Sequence, residues 1–358
     1  MGNLPLDKNL SFFSVVPPFS FPPFVHFRFF FSLPMLAAAM PLHRTRSYLQ
    51  GMALSSFERL PAFLSDNEYI REGYRVGWRP IELLLSVFQL HNETVNIWTH
   101  MLPLVYFGAT FLVAHEQEQA PPPLCSDKWA VTRWLTSSAG EQTCLHRPQP
   151  PTWPMWVFRA GVVACFVGST VGHTFACHSP SVSDTLWQFD YAGIAILITT
   201  SFFPPVFYGL GCAAPTLSTV YLFTIVALGI MTVVATFSST FTTTRMRPFR
   251  ALLYVLLGSF GAVPLVHLAS LHWGTGARNQ YWSDVFRGEV AMAASYLSGA
   301  AVFATRVPER FFPGQCDLVG ASHQVFHVFI VLGTMAHIYS CDTFRDWAHF
   351  GDTCTAPL

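Results

Sequence analysis

Charge is scarce in this chain. Asp, Glu, Lys and Arg make up 11% of its 358 residues, where soluble domains carry roughly 25%. A deficit spread over a whole chain excludes an ordinary water-facing surface and points to lipid. The formal net charge is zero, which removes the electrostatic case for a nucleic-acid partner. A recognisable secretory leader is missing too. Residues 10–36 are rich in Phe and Pro, without a clean apolar run or a small-residue cleavage pattern. Pro17, Pro18, Pro22 and Pro23 exclude a regular helix there. Residues 1–60 therefore read as a leader without regular structure, or as the product of an upstream start with Met35 or Met40 as the real beginning. No internal repeat divides the remainder of the chain, so 61–345 reads as one membrane domain and 346–358 as a short tail.

What the chain does have is long uncharged runs, and 51% of its residues are hydrophobic. They predict seven spans, at about 97–114, 155–177, 187–207, 216–238, 251–271, 289–305 and 321–341. Helices are expected because isolated strands leave their backbone unsatisfied in lipid. The stretch from Tyr191 to Thr244 is too long for one span, and it is divided at Phe203-Pro204-Pro205 and Gly209-Leu210-Gly211. With the N-terminus cytosolic, and counting from Arg44 onward, the inner segments hold eleven basic residues and the outer ones seven, the sense of the positive-inside bias. The C-terminus would then be extracellular or lumenal, in a plasma or internal membrane. Cys125, Cys144, Cys212, Cys341 and Cys354 would face that oxidising side, where a disulfide of undeducible pairing and free cysteines scattered through a membrane protein are equal readings. Before the first span, Trp78-Arg79-Pro80 opens an amphipathic run to Leu90, which reads as a juxtamembrane helix on the inner membrane surface.

Ionisable groups inside spans are costly, so each is a functional candidate. The second span ends with Ser169 and His173, four apart on one face. The third begins near Asp190. The seventh begins with His323 and His327, again four apart. The second span ends on the side where the third and seventh begin, so all of these residues fall at one leaflet. Three neutral imidazoles with a position left for water make the ligand set of a catalytic-type zinc site. Asp190 would hold and deprotonate that water, and Ser169 would donate to a bound carbonyl oxygen. The plainer alternatives are a packed histidine pair on the last span, and Asp190 as a helix N-cap. His267 and His337 lie toward the opposite ends of their spans and read as interfacial or packing residues.

These pieces resemble the progestin and adipoQ receptor family, which includes adiponectin receptors, plant heptahelical proteins and haemolysin III-like proteins. The matching segments are His91-Asn92-Glu93-Thr94-Val95-Asn96 through His100, Ser169 to His173 with Cys177-His178-Ser179, and Asp190-Tyr191 with Gly193-Ile194. Pro308-Glu309-Arg310, Phe312-Pro313-Gly314, Cys316-Asp317 and Ser322-His323-Gln324 with Phe326-His327 come next in order. The resemblance covers about residues 60–340. It implies seven helices with a cytosolic N-terminus, zinc on His173, His323 and His327, and a zinc-bound water at Asp190. It also implies a receptor-like role in lipid or hormone signalling, with hydrolysis of a ceramide-type amide to a sphingoid base and a fatty acid. A constitutive hydrolase without an outer ligand is the alternative. Glu93, Asn96 and His100 would have a supporting or gating role. The chain departs from the family at its leader, its long first outer loop and its tail. An extracellular hormone or protein ligand would bind on that outer side.

Overall fold

A computed structural model of the chain describes residues 53–119, 150–241, 243–272 and 278–350. The leader up to residue 52, most of the first outer loop with Cys125 and Cys144, and the tail from 351 with Cys354 lie outside them. Among the described residues the regular structure is entirely helical, apart from one isolated bridge between Ser55 and Tyr74. The α-helices are α1 Pro80–Ser86, α2 Thr94–Gln119, α3 Trp153–Phe175, α4 Pro180–Ser201, α5 Phe203–Leu210, α6 Pro215–Thr236, α7 Arg247–Ser259, α8 Ala262–His272, α9 Arg278–Thr305 and α10 Ser322–Phe350.

Among the described residues, five stretches are long and apolar enough to cross a membrane: α3, α4 with α5, α6, α7 with α8, and α10. The segments expected around 97–114 and 289–305 are also helical, as parts of α2 and α9. Helices α2 and α9 carry more polar residues: Asn96, Thr99 and His100 in the first, Asp284, Arg287 and Glu289 in the second.

Several boundaries differ from expectation for identifiable reasons. The third span begins at Pro180, not near 187. Ser179 caps it by accepting from the Val182 amide, and Pro180 occupies the first helical position. Asp190 therefore lies in mid-helix, which rules out its reading as an N-cap. Pro204 and Pro205 do not end that span. They fall in the first turn of α5, where their missing amide donors cost nothing, and the path continues to Leu210. The interfacial run predicted up to Leu90 is regular only over Pro80–Ser86, where the Arg79 amide donates to the Glu82 carboxylate. Leu83 is buried beneath it, while Ile81, Leu84 and Leu85 are exposed.

Small residues bring the helices close where the candidate residues sit. A methyl group on Gly193 of α4 would lie 3.0 Å from the Cys165 Cα of α3. This close approach sets Ser169 and His173 against Asp190. The start of α10 is held by the Pro308-Glu309-Arg310 segment. The buried Glu309 carboxylate accepts from the Ser322 amide (2.7 Å), the Ser322 hydroxyl (2.5 Å) and the Asn67 side chain (3.2 Å). The Asp317 carboxylate ties the segment before α1 to the same end by accepting from the Arg71 and Glu72 amides.

Cys212 is disulfide-bonded, whereas Cys341, expected on the same side, is a buried free thiol.

Candidate metal centre

The last turn of α3 is fixed from below by a buried arginine. The Arg75 guanidinium donates to the His173 carbonyl (2.7 Å), the Thr174 carbonyl (3.1 Å) and the Ser86 hydroxyl (2.7 Å). A cation here satisfies carbonyls that the helix end leaves unpaired and complements its dipole. His173 is thereby presented at the end of α3, against the first turn of α10.

The structure brings His173, His323 and His327 together. One ring nitrogen from each lies within 4.8 Å of the others, and the Nε2 atoms of His173 and His323 are 3.2 Å apart. His173 and His327 are buried and His323 is partly buried. Their back sides are occupied. His173 Nδ1 donates to the Glu93 carboxylate at 2.7 Å. His327 Nδ1 faces the Asn96 carbonyl at 3.2 Å and the Thr99 hydroxyl at 3.1 Å. In both rings Nε2 is left as the free lone pair. A carboxylate or carbonyl behind the imidazole is the usual way a metal-ligating histidine is oriented.

Glu93 is itself well placed. It lies just before α2, and Asn96 one turn on donates to it at 2.6 Å. Burial pushes its carboxyl up, but the His173 imidazole and the Asn96 amide pull it below the ordinary carboxylate range. The neighbouring His91 ring accepts from the Glu93 amide and donates to the Ser86 carbonyl. Burial and the nearby Arg75 push His91 down to about 3, so this ring stays neutral.

Asp190 and Ser169 stand beside the histidines, both buried. Ser169 is within hydrogen-bonding reach of the Asp190 carboxylate and lies 2.7 Å from His100 Nδ1. The His100 ring stacks on His327 at 3.6 Å between centroids, and its Nε2 is buried without a partner.

A cavity of about 390 Å³ opens from this cluster into the bundle, within the size range of ligand pockets. His100, Ser169, Asp190, His323 and His327 line one end, and apolar walls from Ile194, Leu197, Tyr254, Met292 and Ile330 continue it. His267 takes no part and lies beside the Tyr221 hydroxyl. His337 does line the cavity, at the opposite end, so its reading as a packing residue is incomplete.

All five residues singled out from the sequence thus converge. The sequence reading undervalued Glu93 and His100. Their signal was the spacing of Glu93, Asn96 and His100 at i, i+3 and i+7, which places them on one face of a helix turned toward the other spans.

The Haemolysin-III related family matches residues 88–338. Heptahelical transmembrane protein 1 of Arabidopsis thaliana is 38% identical over 296 residues, covering 82% of each chain. Heptahelical transmembrane protein 3 of the same plant is 35% identical over 84% of this chain and 90% of its own length. Heptahelical transmembrane protein ADIPOR1 of Oryza sativa subsp. japonica is 37% identical over 79% and 82%.

Proposed function

The chain belongs to the Haemolysin-III related family of multi-pass membrane proteins, and from that premise and the histidine geometry we propose that it is a seven-helix, zinc-dependent hydrolase of ceramide-type lipid amides with a receptor-like role in lipid or hormone signalling. The seven spans are the five strongly apolar stretches together with α2 and α9. The excess of basic residues on the inner segments orients the N-terminus to the cytosol and the C-terminus to the outside or lumen. The membrane domain covers 61–345, and α1 rests on the inner surface through Ile81, Leu84 and Leu85. An extracellular hormone or protein ligand would engage the outer loops.

The observation that carries this reading is the set of three oriented imidazoles at the head of an apolar cavity. The donor set fits zinc: the 3.2 Å separation of the His173 and His323 nitrogens suits ligands placed about 2.0–2.1 Å from one ion. When bound, zinc supplies a Lewis acid and a water of lowered pKa. The chain's own groups supply the rest. The cavity receives the acyl chain and excludes bulk water. Asp190, at the cavity end beside the histidines, accepts the proton that the attacking water loses. Ser169 stands between His100 Nδ1 and the Asp190 carboxylate, and its one proton turns from Asp190 to the amide carbonyl oxygen as Asp190 takes up the proton from water. Water adds across the C–N bond, its hydroxyl going to the acyl carbon and its proton to the leaving nitrogen, to give a fatty acid and a sphingoid amine.

The test is the zinc content of the purified full-length protein, measured by mass spectrometry, together with turnover of labelled ceramide in detergent. Wild type should hold one zinc per chain. His173→Ala/His323→Ala should hold none, and Asp190→Ala should keep zinc but lose turnover. Zinc retained by the double variant would overturn the metal centre. Zinc present without turnover under any condition would leave a sensor with a structural metal.

A further inference from the structure

The far end of the cavity carries a second buried ionisable pair. Glu289 of α9 and His337 of α10 both line it, exposed by only 8% and 2%. His337 is ten residues beyond His327 on one helix, about 15 Å of rise. That places the pair near the middle of a hydrocarbon core roughly 30 Å thick. An ionisable pair at that depth is a functional candidate unless its partners fully absorb it.

They do not absorb it here. His337 Nε2 lies 2.8 Å from the Ser201 carbonyl, which only accepts, so Nε2 carries a proton. Nδ1 then faces Glu289 Oε1 at 3.0 Å, with the buried Cys341 thiol also beside the ring. Either an imidazolium meets a carboxylate or a neutral ring meets a carboxylic acid. Both arrangements sum to zero charge, so the pair has no surplus with which to balance a charged ligand. A carboxyl group has more acceptor sites than one imidazole can fill, and this one borders the cavity.

We propose that Glu289 and His337 form a second binding site, for a hydroxyl on the chain of a lipid whose polar head lies at the histidine cluster, so that the protein selects chain-hydroxylated lipids. This rests on the lipid reading of the cavity. The hydroxyl donates to Glu289, and the apolar walls hold the chain between the two ends. An extended chain advances about 1.2 Å per bond, so 15 Å corresponds to a hydroxyl roughly a dozen carbons from the head.

The test is direct binding of labelled stearate, 12-hydroxystearate and 6-hydroxystearate to the zinc-loaded full-length protein in nanodiscs. Wild type should bind the 12-hydroxy acid on the order of tenfold tighter than stearate, as expected for a hydrogen bond to a charged group. The 6-hydroxy acid should show no such gain, a comparison that needs no variant. In Glu289→Leu/His337→Leu the ratio of 12-hydroxystearate to stearate affinity should fall to about one, because removing both partners leaves no orphaned charge. Equal wild-type affinities for stearate and the 12-hydroxy acid would overturn this proposal alone, as would a preference that survives in the double variant. Failure of all three acids to bind would overturn the lipid reading of the cavity, and this site with it.

Discussion

The two ends of the cavity hold their polar groups in opposite ways. At the histidine end, His173 and His327 are braced from behind by Glu93 and by the Asn96 carbonyl. Their leftover nitrogens are thereby committed to a common point. At the far end Glu289 and His337 face each other, braced from outside by the Ser201 carbonyl. The first arrangement leaves lone pairs converging on one point, as a proposed cation would require. The second neutralises itself and leaves carboxyl acceptor capacity toward the cavity. Ionisable residues in a membrane are thus not one class, and the group behind each residue decides what its free face can bind.

The sharpest way to break this comparison is to remove the bracing at one end. Glu309→Ala strips the acceptor from the Ser322 amide and hydroxyl and from Asn67, all at the start of the helix that presents His323 and His327. It should cost about 3 kcal/mol, since the donors of a buried network are stranded. Glu289→Leu/His337→Leu should change stability far less, because both members leave together. Thermal unfolding in one detergent compares the two. A Glu309→Ala variant that melts with wild type would place the anchoring of α10 elsewhere.

Next in size is the brace behind His173. Glu93→Gln keeps the shape but replaces a carboxylate acceptor with a neutral amide. Partners of this kind typically change metal affinity 10–100-fold, and chelator competition should show a loss in that range. An unchanged affinity would mean that the contact with His173 Nδ1 is structural only.

A third change tests whether helix approach sets the site. The Cβ of Gly193→Val would meet the Cys165 backbone at 3.0 Å, and the methyls beyond it have no room. Overpacking of this kind costs about 2 kcal/mol. It should also reduce ceramide turnover more than zinc content, because Asp190 moves with α4 while the three histidines belong to α3 and α10. Equal losses of both would place the coupling elsewhere.

These changes also show how far the sequence could be read. Uncharged runs located the helical segments, since lipid leaves little freedom in how an apolar run of that length folds. Helix ends were less legible. Pro204-Pro205 marks a boundary in sequence whether it ends one helix or opens the next, and only the path of the chain distinguishes the two. The histidines and Asp190 could be gathered by topology, because the parity of the spans fixes which ends share a leaflet. Glu93 could not be given a role that way. A carboxylate just outside a span carries no depth signal, and its function is the 2.7 Å contact with a ring 80 residues away. Glu289 and His337 escaped for a related reason: each alone reads as a tolerated polar residue, and their meaning lies in a pairing across two helices.

The smallest effect concerns His91, which braces Glu93 in turn. In the folded protein burial and Arg75 hold this ring down to about 3, whereas an unfolded histidine takes up a proton near 6.5. Between those values the unfolded chain binds more protons. Stability therefore rises with pH across the window and is lost as acid is added from neutrality downward. Between pH 7 and 5.5 the loss should be about 1 kcal/mol. His91→Gln, which cannot titrate, should lack that part of the slope while Glu93 is still ionised. Unfolding midpoints for wild type and variant at pH 7 and 5.5 measure the difference directly, and parallel curves would show that His91 is protonated to the same extent in both states.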